Sequence, residues 1–184
     1  STPKPSSAAS DVYKRQGNPH GSEPVARYNK YSLTLSYLQP FRLWNENFSF
    51  DSLATGQRSE DVLFSPQRIS LGGLNSVRGF QDQTLSGNSG GYWRNQLRWR
   101  RAVTWPALQP FVQEYGMAFA YDVGVIKGDR YNHDARGRMS GNALELNARG
   151  QYLAASVSFA RSLERPAIIE RREHPVYFRV DLFF

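Results

Sequence analysis

Few side chains in this sequence are of the types that do chemistry, and most of those stand alone. There is no cysteine, which removes disulfides, thiolate metal sites and cysteine nucleophiles. His20, His133 and His174 show no ligand spacing and no triad neighbours. Gly72-Gly73 lacks the lysine and the following helix that a phosphate-binding loop needs. The residues therefore point to no metal, no cofactor and no enzyme. Two charged residues do stand where another group can approach closely. Arg78 lies in the run Leu71-Gly72-Gly73-Leu74-Asn75-Ser76-Val77-Arg78-Gly79-Phe80, where Gly79 permits a tight turn without a Cβ clash. Asp122 has Gly116, Ala118, Ala120 and Gly124 at alternate positions around it, which leave a groove for a second chain segment. Arginine's planar fork binds a carboxylate through two hydrogen bonds and stays charged at any relevant pH. The chemistry on offer is recognition of charge, not bond making.

Such residues need elements to hold them, and from Tyr28 onward apolar residues recur at every second position. Tyr31, Leu33, Leu35 and Tyr37 oppose Ser32, Thr34 and Ser36, and Phe48 and Phe50 oppose Asn47, Ser49 and Asp51. Leu97 and Trp99 oppose Arg94, Gln96, Arg98 and Arg100. Tyr115, Met117, Phe119, Tyr121, Val123 and Val125 oppose Glu114 and the small residues around Asp122. Leu144, Leu146 and Ala148 oppose Glu145, Asn147 and Arg149, while Leu153, Ala155, Val157 and Phe159 oppose Ala154, Ser156 and Ser158. Val176, Phe178, Val180, Leu182 and Phe184 oppose Tyr177, Arg179, Asp181 and Phe183. Seven segments of period two predict an all-β, antiparallel protein. An aromatic content of 14% suits pleated surfaces and membrane interfaces. A mean hydropathy of -0.58 and the lack of a long apolar run exclude a transmembrane helix. They leave a barrel open, because a barrel strand needs only about 9–11 residues with every second one facing lipid.

Connector lengths separate a barrel from a soluble sandwich. Residues 40–46, residues 102–107 and a turn at Gly150 are short, while 58–90, 127–141 and 161–175 are long, in strict alternation. An up-and-down outer-membrane barrel alternates short periplasmic turns with long extracellular loops. The pattern makes the segments at 48–50, 115–125 and 153–159 run outward and puts Phe184 at the periplasmic rim. Seven strands alone leave two unpaired edges in lipid, so further strands are expected before Tyr28. Residues 1–24, with Pro3, Pro5, Pro19 and Pro24 and no periodicity, are expected to be disordered or non-native. Residues 25–184 are then the C-terminal portion of a transmembrane barrel. No apolar stretch of a signal peptide opens the chain.

The net charge of +7 fits nucleic acid, an anionic membrane surface or a basic pore lining. The charge is spread over strand faces, not gathered on one helix or an aromatic RNA-binding sheet, which argues against nucleic acid. Arg94, Arg98, Arg100, Glu145, Arg149 and Arg179 would line a polar, mostly basic conduit, and Trp93, Trp99, Trp105, Tyr115 and Phe184 are candidates for aromatic girdles. In the sandwich alternative the chain is a soluble basic β-domain binding nucleic acid or glycan.

From Tyr28 to Phe184 the sequence resembles the last seven strands of the two-partner secretion transporters (TpsB; ShlB/FhaC/HecB haemolysin secretion/activation type), relatives of the barrel-assembly protein BamA. Val77, Arg78, Gly79 and Phe80 match the tip of the family's pore-folding loop, here within residues 58–90. Phe119, Tyr121, Asp122 and Gly124 match its motif on the following outward strand. The family's plug helix, POTRA domains and first strands have no counterpart in this sequence. The resemblance implies a barrel in the Gram-negative bacterial outer membrane that exports a large secreted partner (TpsA-like, of haemolysin, adhesin or contact-dependent toxin type) and uses no cofactor. It implies that Arg78 pairs with Asp122 inside the barrel and that outer-membrane lipid surrounds it. It also implies that the barrel-assembly machinery reads Phe184 as an insertion signal. Each charge-assisted hydrogen bond of such a pair contributes about 1.5–3 kcal/mol, enough to latch a loop. A BamA-like insertase sharing the loop motif is the alternative within the superfamily.

Overall fold

The computed structural model describes residues 24, 26–109, 111–128 and 136–183. The expectations for residues 1–23 and for Phe184 lie outside the described residues. The elements are β1 (Lys30–Leu43), β2 (Glu46–Ser59), a 3-10 turn (Ser65–Gln67), β3 (Ile69–Leu71), β4 (Leu85–Gly87), β5 (Ser89–Ala102), β6 (Glu114–Lys127), β7 (Gly137–Arg149), β8 (Leu153–Glu164) and β9 (Val176–Leu182). The seven long strands form one antiparallel sheet in the order β1-β2-β5-β6-β7-β8-β9, and β3 and β4 pair as a separate hairpin. Apart from the inserted hairpin, every strand pairs with its neighbour in sequence. This is the up-and-down order of a membrane barrel, with the sheet open along β1 and β9.

The register carries the alternation of the sequence across the whole sheet. Met117 lies level with Trp99 and Phe48 on one side and with Leu146, Val157 and Phe178 on the other. This outer face stays bare: Phe119 is 52% and Phe178 79% exposed. So large an apolar surface does not face water in a soluble protein. The opposite face holds Gly116, Ala118, Ala120, Asp122, Gly124 and Ile126 of β6, all buried. The hydrophobic core lies on that inner side, where residues 60–88 fold against β6 and β7 and bring together Ile69, Leu71, Val77, Phe80, Leu85, Ile126, Met139 and Ile169. Tyr115, Met117 and Phe119 are not sealed between two sheets, which removes the sandwich.

The apolar band on the outer face runs obliquely. On β8 it stops at Phe159 with Arg161 beyond, on β6 at Val125 with Lys127 beyond, and on β2 at Gly56 with Arg58 beyond. Arg161 is level with Tyr121 through Asn142, whereas Arg58 is level with Ser89 and hence Lys127. The boundary thus lies six residues, about 20 Å at ~3.4 Å per residue, further along β6 and β2 than along β8, with the step falling between β8 and β6.

The connectors differ from their predicted bounds. β1 and β2 extend until only Trp44 and Asn45 join them, both at positive φ (50 and 62), the backbone of a type I′ hairpin turn. Pro40 is therefore inside β1, tolerated because one side of that strand is unpaired in this sheet. The predicted connector at 58–90 shortens to 60–88, and β8 runs on to Glu164. The strict alternation of lengths is not kept, since residues 103–113 outnumber residues 128–136. The former fold into a compact cap in which the Val112 N–H donates to the Leu108 carbonyl (2.8 Å) and the Val103 N–H to that of Gln113 (2.9 Å). In the complete protein folded into lipid, Phe119→Arg should cost about 2–4 kcal/mol of stability, and Leu163→Arg, past the boundary on β8, less than about 1 kcal/mol. Denaturant unfolding in liposomes measures both, and equal costs would erase the band.

Candidate functional site

The inward loop is built to bring one arginine to the strand wall. Its hairpin of β3 and β4 turns back at residues 72–80, where the Gly72 N–H donates to Ser76 Oγ (2.8 Å), the Ser76 hydroxyl to the Gly72 carbonyl (2.9 Å) and the Gly73 N–H to the Phe80 carbonyl (2.6 Å). Val77 and Phe80, on either side of the charged tip, are fully buried. Gly79 has φ 101, a conformation that side chains rarely adopt, and a Cβ there would come within 2.5 Å of the Arg161 backbone.

Arg78 and Asp122 meet at this tip. The Arg78 Nε donates to Asp122 Oδ2 (2.6 Å), Nη2 donates to Oδ1 (2.8 Å), and the Arg78 backbone N–H adds a third bond to Oδ2 (3.0 Å). The remaining guanidinium nitrogen, Nη1, donates to Gln96 Oε1 at 2.6 Å. Asp122 is 0% exposed and Arg78 5%. A carboxylate and a guanidinium so far from water are tolerable only because each satisfies the other, and removing one partner of such a pair costs about 3–5 kcal/mol. Arg94, directly across the ladder from Asp122, keeps its Nε 3.9 Å from Oδ1 and donates from Nη1 to the Asn75 carbonyl (3.2 Å).

Small residues on the wall let the loop come this close. A Cβ at Gly124 would lie 2.8 Å from Leu71 and 3.1 Å from Val77, and one at Gly141 on β7 would run into the Arg78 carbonyl. Of the strand motif, Asp122 and Gly124 face the loop, while Phe119 and Tyr121 point outward and touch none of it. Arg94, Arg98, Arg100, Glu145, Arg149 and Arg179 share the inner face. Arg98 is held by Asp51 at 3.4 Å and Arg100 by Glu114 at 3.9 Å. Trp93 and Trp105 are exposed, whereas Trp99 packs edge-on against Tyr115 (5.6 Å between centroids).

Two residues of the site escaped the reading of the sequence. Gln96 was placed on the polar face, and its position one row from Asp122 was the available signal for its bond to Arg78. Glu173 had none. Its carboxylate accepts from the Gln81 and Asp82 backbone N–H groups and from Gln83 Nε2 (3.0 Å), while its carbonyl accepts from the Ser162 N–H (3.1 Å) and its own N–H donates to Ser162 Oγ (2.9 Å). The 165–175 connector thereby clamps the exit of the loop. In Glu173→Ala, amide hydrogen exchange at Gln81 and Asp82 should quicken about tenfold, the loss of one charged hydrogen bond, with the Val77 amide unchanged. Unaltered exchange at Gln81 and Asp82 would show that the clamp holds nothing.

Known proteins resemble this chain in sequence and in fold. The family model described as "Haemolysin secretion/activation protein ShlB/FhaC/HecB" matches residues 7–148. The outer membrane transporter CdiB of Escherichia coli O6:K15:H31 (strain 536 / UPEC) is 32% identical over 179 residues, 96% of this chain and 28% of that protein. Hemolysin transporter protein HpmB of Proteus mirabilis is 31% identical over 131 residues, 71% of this chain and 22% of its own length. A solved structure of CdiB from Escherichia coli superposes with a TM-score of 0.77 at 31% identity, over 87% of this chain and 28% of that one. CdiB from Acinetobacter baumannii shares the fold at 24% identity and a TM-score of 0.72, over 85% of this chain and 27% of that one. The chain thus spans between a fifth and a third of the length of these relatives. With most of its residues matched by the family model and its sheet matching a stretch of a relative's barrel, this chain is an outer-membrane β-barrel segment that belongs to the ShlB/FhaC/HecB haemolysin secretion/activation family.

Proposed function

We propose that the complete protein exports a large secreted partner, of haemolysin, adhesin or contact-dependent toxin type, through its barrel across the outer membrane. The observation that carries this reading is a loop folded onto the inner, polar wall of a lipid-facing sheet and held there by Arg78 on Asp122. The inner face offers an unfolded chain polar contacts from Arg98, Arg100, Glu145, Arg149 and Arg179, and small residues leave it room to pass. Movement is driven by folding of the partner outside. The loop, with Val77, Arg78, Gly79 and Phe80 at its tip, gates or braces the conduit. Strands β2, β6 and β8 run outward, so the 60–88 and 165–175 connectors lie at the cell-surface end. The barrel-assembly machinery inserts the protein, with Phe184 as its signal.

Charge reversal tests the pair in the complete protein. Arg78→Asp and Asp122→Arg should each lower secretion of the partner at least tenfold at equal barrel abundance, and the double exchange should restore most of it. Normal secretion from both single variants would end the latch reading. Orientation is tested separately. A cysteine introduced as Ala167→Cys, in a stretch with no cysteine of its own, should react with a membrane-impermeant maleimide on intact cells. Reaction only after the outer membrane is breached would reverse the assignment.

A further inference from the structure

The outer face carries a hollow that the loop and its partners do not use. Where β1, β2, β5 and β6 lie side by side near the end that bears the 60–88 loop, a depression of about 1450 Å³ opens in the sheet. Its floor is the cross-strand pair Gly56 and Gly91. Its walls include Leu33, Leu35, Trp93 and Val125, between 44% and 63% exposed. A Cβ on Gly56 would meet nothing within 4 Å, so the space above the floor is open. In a bilayer an apolar hollow of this size is filled by an acyl chain.

The rim gives this hollow a preference that the rest of the band lacks. Arg58 follows Gly56 on the same face of β2, Lys127 follows Val125 on β6, and Arg138 is registered with Val125 from β7. Arg58 and Lys127 thus stand one row beyond the apolar floor, about 7 Å along the strand, and Arg138 stands at the side, in the row of Val125, Gly91 and Gly56. Arg58 pairs with Glu60 at 3.0 Å and Arg138 with Glu164 at 3.3 Å, but all four side chains are at least half exposed. Pairs of this kind are weakly held and readily exchanged. Lys127 has no ion-pair partner among the described residues. A phosphate brings up to two charges and several acceptor oxygens, which suits Arg58 and Arg138 better than a single carboxylate each.

We infer that this hollow seats a phosphate-bearing, multiply acylated glycolipid of the outer leaflet, with an acyl chain over Gly56 and Gly91 and a phosphate among Arg58, Lys127 and Arg138. The inference rests on the proposed orientation, which puts this end of the strands in the outer leaflet. It also gives the lipid a mechanical meaning. On its inner side β2 carries Gln57, whose amide donates to the Gln67 carbonyl (3.0 Å) and the Asn88 carbonyl (3.2 Å) at the two ends of the loop. Lipid outside and loop inside therefore bear on the same strand.

The test uses the complete protein in nanodiscs of phosphatidylethanolamine containing either bisphosphorylated lipid A or its dephosphorylated form, with bound lipid counted by native mass spectrometry. The wild type should retain the phosphorylated form in preference. Combined Arg58→Ser, Lys127→Ser and Arg138→Ser should weaken that retention by about a hundredfold, near fivefold for each basic residue at an anionic surface. Gly56→Leu, which has room for its side chain, should reduce retention of both forms by filling the hollow. Equal retention of the two forms by the wild type, or retention unmoved in either variant, overturns the site. Partner secretion and Ala167→Cys labelling run in parallel. Normal secretion and surface labelling without lipid preference sink this inference alone, whereas labelling from the periplasmic side sinks the orientation beneath it.

Discussion

A carboxylate with no exposure to water, on a strand whose other face is a bare apolar surface, has to be neutralised by something brought to it. Asp122 is in that position, and much of the inner architecture follows from the need to deliver Arg78. The loop must leave the end of β2, turn back over the inner face of the sheet and present its tip within hydrogen-bond distance of β6. Glycines at 79 and 141 are required because backbones approach there more closely than any Cβ allows, and Gly124 because the Leu71 and Val77 side chains fill the space its Cβ would take. Gln96 is required because a guanidinium bound to a single carboxylate keeps one unsatisfied nitrogen, and a buried donor without a partner is costly.

The second constraint is that every backbone group crossing the bilayer must be paired within the protein. Between the open edges at β1 and β9 the long strands satisfy it by a continuous meander, and the register leaves one face mainly apolar within the oblique band, broken at Gln39, Ser52 and Asn95. That tilt connects the two constraints. Side chains that are level along the ladder differ in depth, so the residue at the height of Asp122 is polar on the outer face of β7, at Asn142 and its neighbour Ser140, and apolar on β6, at Val123. The inner site can lie near the end of the apolar band on one strand and well within the band on the next.

This geometry also explains which parts of the structure were legible in the sequence. Period two was plain wherever lipid wets one side and water the other, so the seven strands, their faces and the setting of Asp122 could be read from residues alone. The ends could not. Gly137, Arg138 and Met139 continue the ladder of β7 past the lipid boundary, where both faces accept polar residues and alternation fades. Gln39 interrupts the outer face of β1 in the same way, and Pro40 then resembles a turn. Glu173 was illegible for another reason: it holds the loop through backbone N–H groups, which every residue has and which only the folded chain places.

Magnitudes decide what the ion pair does for the loop. Eight apolar side chains are buried between the loop, the wall and the 165–175 connector, and full burial of such side chains contributes about 1.5–3 kcal/mol each. Even with half of that offset by ordering the chain, the apolar contribution exceeds what one buried pair adds after both charges lose their water. The loop adheres because it is greasy, and it adheres in one position because of Arg78. Shifting the hairpin along β6 by one residue pair would leave Leu71 and Val77 against other small or apolar side chains at modest cost, but would strand both Arg78 and Asp122 out of water. The charged pair is therefore the register mark of the assembly. The division is clear-cut: contacts that tolerate sliding supply the adhesion, and a single intolerant contact fixes the position.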